Sequence, residues 1–62
     1  MRITGRSVTD KERKMLTQIA VEFGADEVTV GVMEAYDGYK SVWRTVARFF
    51  KEGKLIKWIS WE

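Results

Sequence analysis

The sequence contains no cysteine, no histidine and no proline. Without cysteine, neither a disulfide framework nor a thiolate metal site can stabilise the fold. Without histidine, the chain lacks the commonest acid–base catalyst and the commonest transition-metal ligand. The adjacent acids Asp26 and Glu27 have no nucleophile, metal ligand or glycine-rich phosphate loop beside them. The sequence therefore predicts no catalytic residue, no metal, no cofactor and no enzymatic activity.

Long apolar runs are also missing. No stretch is long enough to span a membrane, and the first residues lack the apolar core of a signal peptide. The 62 residues are 45% hydrophobic and 32% charged, which is typical of a globular chain with a single core. We therefore expect one domain over residues 1–62, located in the cytoplasm and without a membrane partner.

Charge is distributed unevenly along the chain, although the net charge is only +2. Residues 1–21 carry five basic and two acidic groups, whereas residues 22–39 carry five acidic groups and no lysine or arginine. Residues 40–62 carry six basic and two acidic groups. Such segregation indicates a side that faces a polyanion, and chance clustering in a short chain is the alternative.

The first helix has signals at both of its ends. Thr9 and Glu12 have the spacing of a capping box, in which each side chain accepts a hydrogen bond from the other residue's amide. Apolar residues then recur with helical spacing. They are Met15, Leu16, Ile19, Ala20 and Phe23. Gly24 supplies the left-handed position that commonly ends a helix.

The middle of the chain supports two interpretations. The alternation around Val28 and Val30 suggests a short strand. Thr29 is equally suited to cap a brief helix. We favour a short extended piece followed by a second helix from about Val30 to Tyr36. Asp37-Gly38 then marks a turn.

A third helix is predicted over about residues 39–51. On a helical projection, Val42, Trp43, Val46 and Phe50 fall on an inward half. Lys40, Arg44, Arg48 and Lys51 form an outward stripe at spacings of four, four and three. Gly53 ends the helix, and the composition from Leu55 to Trp61 predicts a strand. A short N-terminal strand is predicted at Arg2-Ile3-Thr4.

The order of these elements resembles the winged helix-turn-helix DNA-binding superfamily, of the repressor type. The resemblance lies in Gly31 to Ile56, GVMEAYDGYKSVWRTVARFFKEGKLI, and with the first helix it covers about three quarters of the chain. Three departures are the displaced turn glycine Gly38, the sequence EGKLI before the wing, and a chain that ends at Glu62, six residues after Ile56. The wing is then either reduced to one strand, or completed by pairing with Arg2-Ile3-Thr4 or with a second subunit. The resemblance implies a mainly α fold with a small β component, namely three helices with short N- and C-terminal strands.

The function implied by this resemblance is double-stranded DNA binding, with the third helix in the major groove, by a small transcriptional regulator. Its compactness suits a viral or mobile-element protein. The predicted nucleic-acid-binding residues are Lys40, Ser41, Arg44, Thr45, Arg48 and Lys51. Further phosphate contacts are predicted for Arg2, Arg6, Lys54 and Lys57.

Two alternative functions stay open. The first is a protein-interaction module that uses the acidic second helix or the aromatic C-terminal strand. The second is recognition of structured RNA by the same basic face.

A separate question concerns Phe49, Trp58 and Trp61, which are aromatic residues of the kind enriched at interfaces. They form either a homodimer interface or part of a small core that gains buried area from large side chains.

Overall fold

Five segments of regular structure follow one another along the chain. The computed structural model describes residues 1–62 and has β1 (Arg2–Gly5), α1 (Asp10–Phe23), β2 (Glu27–Tyr36), β3 (Ser41–Lys51) and β4 (Lys54–Trp61). The strands form one sheet in the order β1-β2-β3-β4. β1 and β2 are parallel, and the other two pairings are antiparallel. The helix α1 provides the crossover that a parallel pair requires.

The helix α1 forms as its local signals predict. Thr9 caps it, with the Glu12 amide 3.1 Å from the Thr9 hydroxyl and the Thr9 amide 2.9 Å from the Glu12 carboxylate. Gly24 ends it in the left-handed conformation, at φ 75°. The capping box and the C-terminal glycine are both confirmed. Each is a contact between residues close in sequence, which explains why sequence reasoning finds them.

The predictions of a second and a third helix are wrong. The segments assigned to them are the strands β2 and β3, which pair over ten consecutive residues from Glu27↔Phe50 to Tyr36↔Ser41. Both segments are rich in valine, threonine and aromatic residues, whose branched or bulky side chains fit a pleated surface better than a helix. The turn at Asp37-Gly38 is correct, but it joins two strands of a hairpin.

The fold class must be corrected accordingly. One helix accounts for 23% of the residues and the four strands for 53%, so the chain is mainly β and is not a three-helix winged helix-turn-helix domain. The N-terminal strand is confirmed, but it pairs with β2 and not with the C-terminal strand. The predicted strand from Leu55 to Trp61 is confirmed as part of β4.

The core lies between α1 and one face of the sheet. Alternate residues of β2 and β3 point toward the helix, and their side chains are almost fully buried against Leu16 and Ala20. These strand residues are Val28, Val30, Ala47 and Phe49. Trp43, predicted to point inward, is 69% exposed, because it lies on the part of the hairpin that extends beyond β1 and β4.

Carboxylates stabilise the two hairpin turns. In the β2–β3 turn the Asp37 carboxylate accepts hydrogen bonds from the amides of Tyr39 and Lys40, at 2.9 and 3.0 Å. In the β3–β4 turn the Asp26 carboxylate accepts one from the Glu52 amide at 3.1 Å. Glu52 and Gly53 both have positive φ, as a two-residue hairpin connection of this kind requires. The acidic middle segment therefore has structural roles.

Gly5 lies where the chain leaves β1 against β2. Its φ is 95°, and a methyl group added there would overlap the carbonyl oxygen of Val30. Gly31, in the middle of β2, has no such constraint, because nothing lies within 4 Å of the position a methyl group would take.

These two glycines predict opposite responses to the same substitution. Gly5→Ala should lower the free energy of unfolding by more than about 1 kcal/mol, because alanine is strained at this positive φ and its methyl group would overlap the Val30 carbonyl oxygen. Gly31→Ala should raise it by about 0.5–1 kcal/mol, because alanine restricts the unfolded chain without strain in the strand. Urea denaturation followed by circular dichroism measures both. A stabilised Gly5→Ala protein would contradict the packing of β1 on β2.

Acid should weaken the fold through Glu12 and Asp37. The amide of Thr9 and the indole of Trp61 lower the pKa of Glu12, and the amides of Lys40 and Tyr39 lower the pKa of Asp37. Each of these carboxylates has a lower pKa in the folded chain than in the unfolded chain, where it is near 4. Their contribution to the free energy of unfolding is therefore complete at pH values above the unfolded-state pKa, and it is lost as the pH falls through the folded-state pKa.

The test compares the wild type with the double variant Glu12→Gln, Asp37→Asn. Thermal unfolding midpoints measured between about pH 6 and pH 2 should fall less steeply in the double variant. An unchanged slope would show that these two carboxylates do not carry the acid dependence.

Candidate functional site

One face of the sheet has no helix over it. Because side chains alternate along a strand, the residues of β3 that point away from α1 are the even-numbered ones. We call this surface the open face. Its central members are Thr4, Thr29, Gly31, Met33, Arg44, Val46, Arg48, Phe50, Leu55, Trp58 and Ser60. Among them Arg48, Leu55 and Trp58 are exposed, whereas Val46 is buried and the others are half-buried.

An arginine and a tryptophan occupy opposite positions on neighbouring strands of the open face. Arg48 of β3 is directly opposite Trp58 of β4 in the antiparallel register. Cross-strand neighbours of this kind have Cβ atoms about 5 Å apart. Arg48 is exposed and Trp58 is 57% exposed. The pair therefore presents a flat aromatic surface and a permanent positive charge to the solvent at one point.

Arg44 adds a second positive charge on the same strand. One guanidinium nitrogen lies 3.4 Å from the Ser60 carbonyl oxygen and another lies 3.5 Å from the Glu62 carboxylate. The Glu62 side chain is 73% exposed, so this ion pair is of the weak, solvent-screened type. These contacts orient the Arg44 side chain along the sheet.

A shallow apolar depression adjoins the Arg48–Trp58 pair. It has a volume of about 210 Å³ and is lined by Met33, Val46, Arg48, Leu55 and Trp58. Val46 is only 2% exposed although no helix covers it, because the larger side chains around it shield it. Gly31, directly opposite Val46, leaves this part of the face open.

The stripe predicted on the third helix is divided by the strand. Arg44 and Arg48 stay together on the open face. Thr45 points toward α1 and is 7% exposed, so it cannot contact a ligand there. Lys51 approaches the C-terminus of α1, where its Nζ lies 3.8 Å from the position of a methyl group on Gly24. Lys40 and Ser41 lie at the β2–β3 turn and at the start of β3.

The four additional phosphate-contact residues are scattered. Arg2 lies on the open-face side of β1, opposite Glu27. Arg6 pairs with Glu12 at 3.6 Å on the other side of the molecule. Lys57 Nζ lies 4.5 Å from the centre of the Phe23 ring. Lys54 is exposed beside the β3–β4 turn.

The three aromatics considered for a dimer interface occupy different environments. Phe49 is fully buried in the core and has no surface to offer. Trp61 points toward α1, where its Nε1 donates to the Glu12 carboxylate at 3.0 Å. Only Trp58 faces the solvent on the open face. Packing within one copy of the chain therefore explains Phe49 and Trp61 without a dimer interface.

Sequence reasoning missed several members of the open face. Thr29 and Met33 lie in the segment predicted to cap and form a second helix, and the face of Leu55 depends on the register of β4 with β3. The register of β3 and β4 steps from Phe49↔Lys57 to Phe50↔Leu55, so Ile56 is an extra residue and Leu55 shares a face with Trp58. The even spacing of Thr29, Gly31 and Met33 was the available signal.

Comparisons add no further constraint on this site. The chain matches no protein-family model, no curated protein and no solved structure. No three His, Cys, Asp or Glu side chains gather in a way that could hold a metal ion. The 14-residue helix α1 is neither long nor apolar enough to cross a membrane.

Proposed function

We propose that the protein binds single-stranded nucleic acid across the open face. An unpaired base stacks on Trp58, and the guanidinium groups of Arg48 and Arg44 contact phosphates. The observation that carries the proposal is the Arg48–Trp58 pair on a sheet face that no helix covers. Aromatic side chains next to cationic ones are the usual means of binding single strands without sequence preference.

The exposed indole favours a single strand over a duplex. A base can stack on Trp58 only when it is unstacked from its own neighbours, which loops and single strands allow. The adjacent depression, with Met33 and Leu55 in its wall, offers apolar contact for a second base or a sugar. Paired bases present only their edges and would leave the indole in water.

The charge of the hairpin argues against duplex DNA. A two-stranded ribbon can enter the major groove, and the β2–β3 hairpin extends beyond the edge strands from Met33 to Arg44. Its basic residues Lys40 and Arg44 are balanced by Glu34 and Asp37. A ribbon of zero net charge gains little from the phosphates that dominate duplex affinity.

Stacking must supply much of the affinity. The open-face side of the sheet carries Arg2, Arg44 and Arg48 against Glu27 and Glu62, which is a modest positive excess. Each phosphate contact on a single strand contributes a slope of about −0.7 in the logarithm of affinity against the logarithm of salt concentration. Two contacts therefore give a slope of about −1.4, much shallower than that of a basic groove.

The test is the affinity for a labelled single-stranded oligonucleotide, measured by fluorescence anisotropy at several salt concentrations. Arg48→Glu should weaken binding at least about tenfold and reduce the salt slope by about 0.7, because it removes one phosphate contact and adds repulsion. Arg13→Glu changes the net charge equally, but Arg13 is exposed on α1, away from the open face. This control should bind like the wild type apart from a small general charge effect.

A second matched pair separates stacking from charge. Trp58→Ala should weaken binding about tenfold, since stacking on an aromatic is worth about 1–3 kcal/mol per base. Trp43→Ala removes an even more exposed indole from the hairpin's other face and should leave affinity unchanged. Equal loss in both variants of a pair, or tighter binding of duplex than of single strand, would contradict the proposal. An absence of binding to single strands would contradict it as well.

A further inference from the structure

The strand β4 has a free edge. It is last in the sheet order, so this eight-residue strand has a neighbouring strand, β3, on one side only. The opposite edge strand, β1, has four residues. An unpaired strand edge presents a row of free amide and carbonyl groups that can pair with another chain.

The first half of β4 is protected against such pairing, and the second half is not. A bulge or a lysine in an edge strand usually prevents it from pairing with another chain. In β4 the extra residue Ile56 supplies the bulge and Lys57 supplies the charge. From Trp58 to Trp61 the sequence is WISW, without a charge, a proline or a glycine. These four residues can extend a sheet.

We propose that the second half of β4 pairs antiparallel with β4 of a second copy of the chain, around a two-fold axis at Ile59. This pairing joins the two sheets into one of eight strands. It does not depend on nucleic-acid binding. It differs from a dimer through aromatic side chains, because the contact is made by backbone groups of a strand edge.

The charges of β4 favour this antiparallel arrangement. Lys54 and Lys57 both lie on the α1 side of β4, where they are opposite Lys51 and Phe49 of β3. An antiparallel copy around Ile59 sets Trp61 opposite Lys57, whereas a parallel copy sets Lys57 opposite Lys57 and Lys54 opposite Lys54, with repulsion between like charges. The large Trp58 then lies beside Ser60 of the second copy, which leaves room for the indole on the same face.

The size of the chain supplies an independent reason for self-association. Only eight of the 62 residues are buried, and there is no disulfide to stabilise so small a core. Chains of this length commonly gain stability from oligomerisation. A two-fold contact is closed, so it satisfies both free edges and leaves no further edge of the same kind.

The first measurement is sedimentation equilibrium of the unmodified chain without nucleic acid. The expected result is a concentration-dependent mass that rises from 7.2 kDa toward twice that value. A mass that stays at the monomer value up to the highest soluble concentration would overturn the proposal.

The second measurement tests the register by cross-linking, which the absence of native cysteine makes unambiguous. Trp58→Cys and Ser60→Cys proteins are mixed and oxidised, and mass spectrometry counts the products. Directly opposite strand residues are within disulfide distance, whereas residues offset by two are not. The mixed disulfide should therefore exceed each homodimer several-fold.

A matched control pairs Trp58→Cys with Ser7→Cys, whose cysteine lies in the exposed loop before α1. This mixture should give only the random proportions of the three products. Random proportions in the first mixture as well, from a chain that sediments as a dimer, would place the contact on another surface and overturn the proposal.

Discussion

The antiparallel register of β2 and β3 decides which side chains reach α1 and which face away from it. With Val28 opposite Phe49 and Val30 opposite Ala47, the apolar set is directed at Leu16 and Ala20 of the helix. A slip of one residue would turn this set outward and bring Arg48 into the core. Burial of the valines and of Phe49 therefore also fixes Arg48 on the open face. The core and the candidate site are two consequences of one pairing.

Local contacts could be predicted from the sequence, and distant ones could not. The capping box of Thr9 and Glu12, the end of α1 at Gly24 and the turn at Asp37 each involve residues at most a few positions apart. The prediction of a third helix failed because Lys40, Arg44 and Arg48 follow one another at intervals of four residues. That spacing keeps side chains together on a helix, and being even it also keeps them together on a strand. Lys51, at a spacing of three, is the residue that separates the two readings, and it lies on the other side of β3.

The composition of the middle segments held the missing signal. Valine, threonine and aromatic residues on both sides of Asp37-Gly38 are typical of a hairpin. The resemblance to a winged helix-turn-helix domain implies helices in these segments, which the hairpin contradicts. Trp58 could not be placed beside Arg48 from the sequence, because that neighbourhood depends on the register of β3 with β4. The acidic middle segment, which suggested a separate surface, is explained in part by the turns that Asp26 and Asp37 stabilise.

The central claim is that ligand contact is confined to the open face, and a nitrogen-15 chemical-shift titration tests it most directly. A single-stranded oligonucleotide of about ten nucleotides suits a face of this size. The account predicts that the shifts concentrate at Arg44, Arg48 and the indole of Trp58, while the exposed side of α1 is unaffected. Shifts that instead follow Lys11, Arg13 and Lys14 on α1, or no shifts at a saturating concentration, would contradict it.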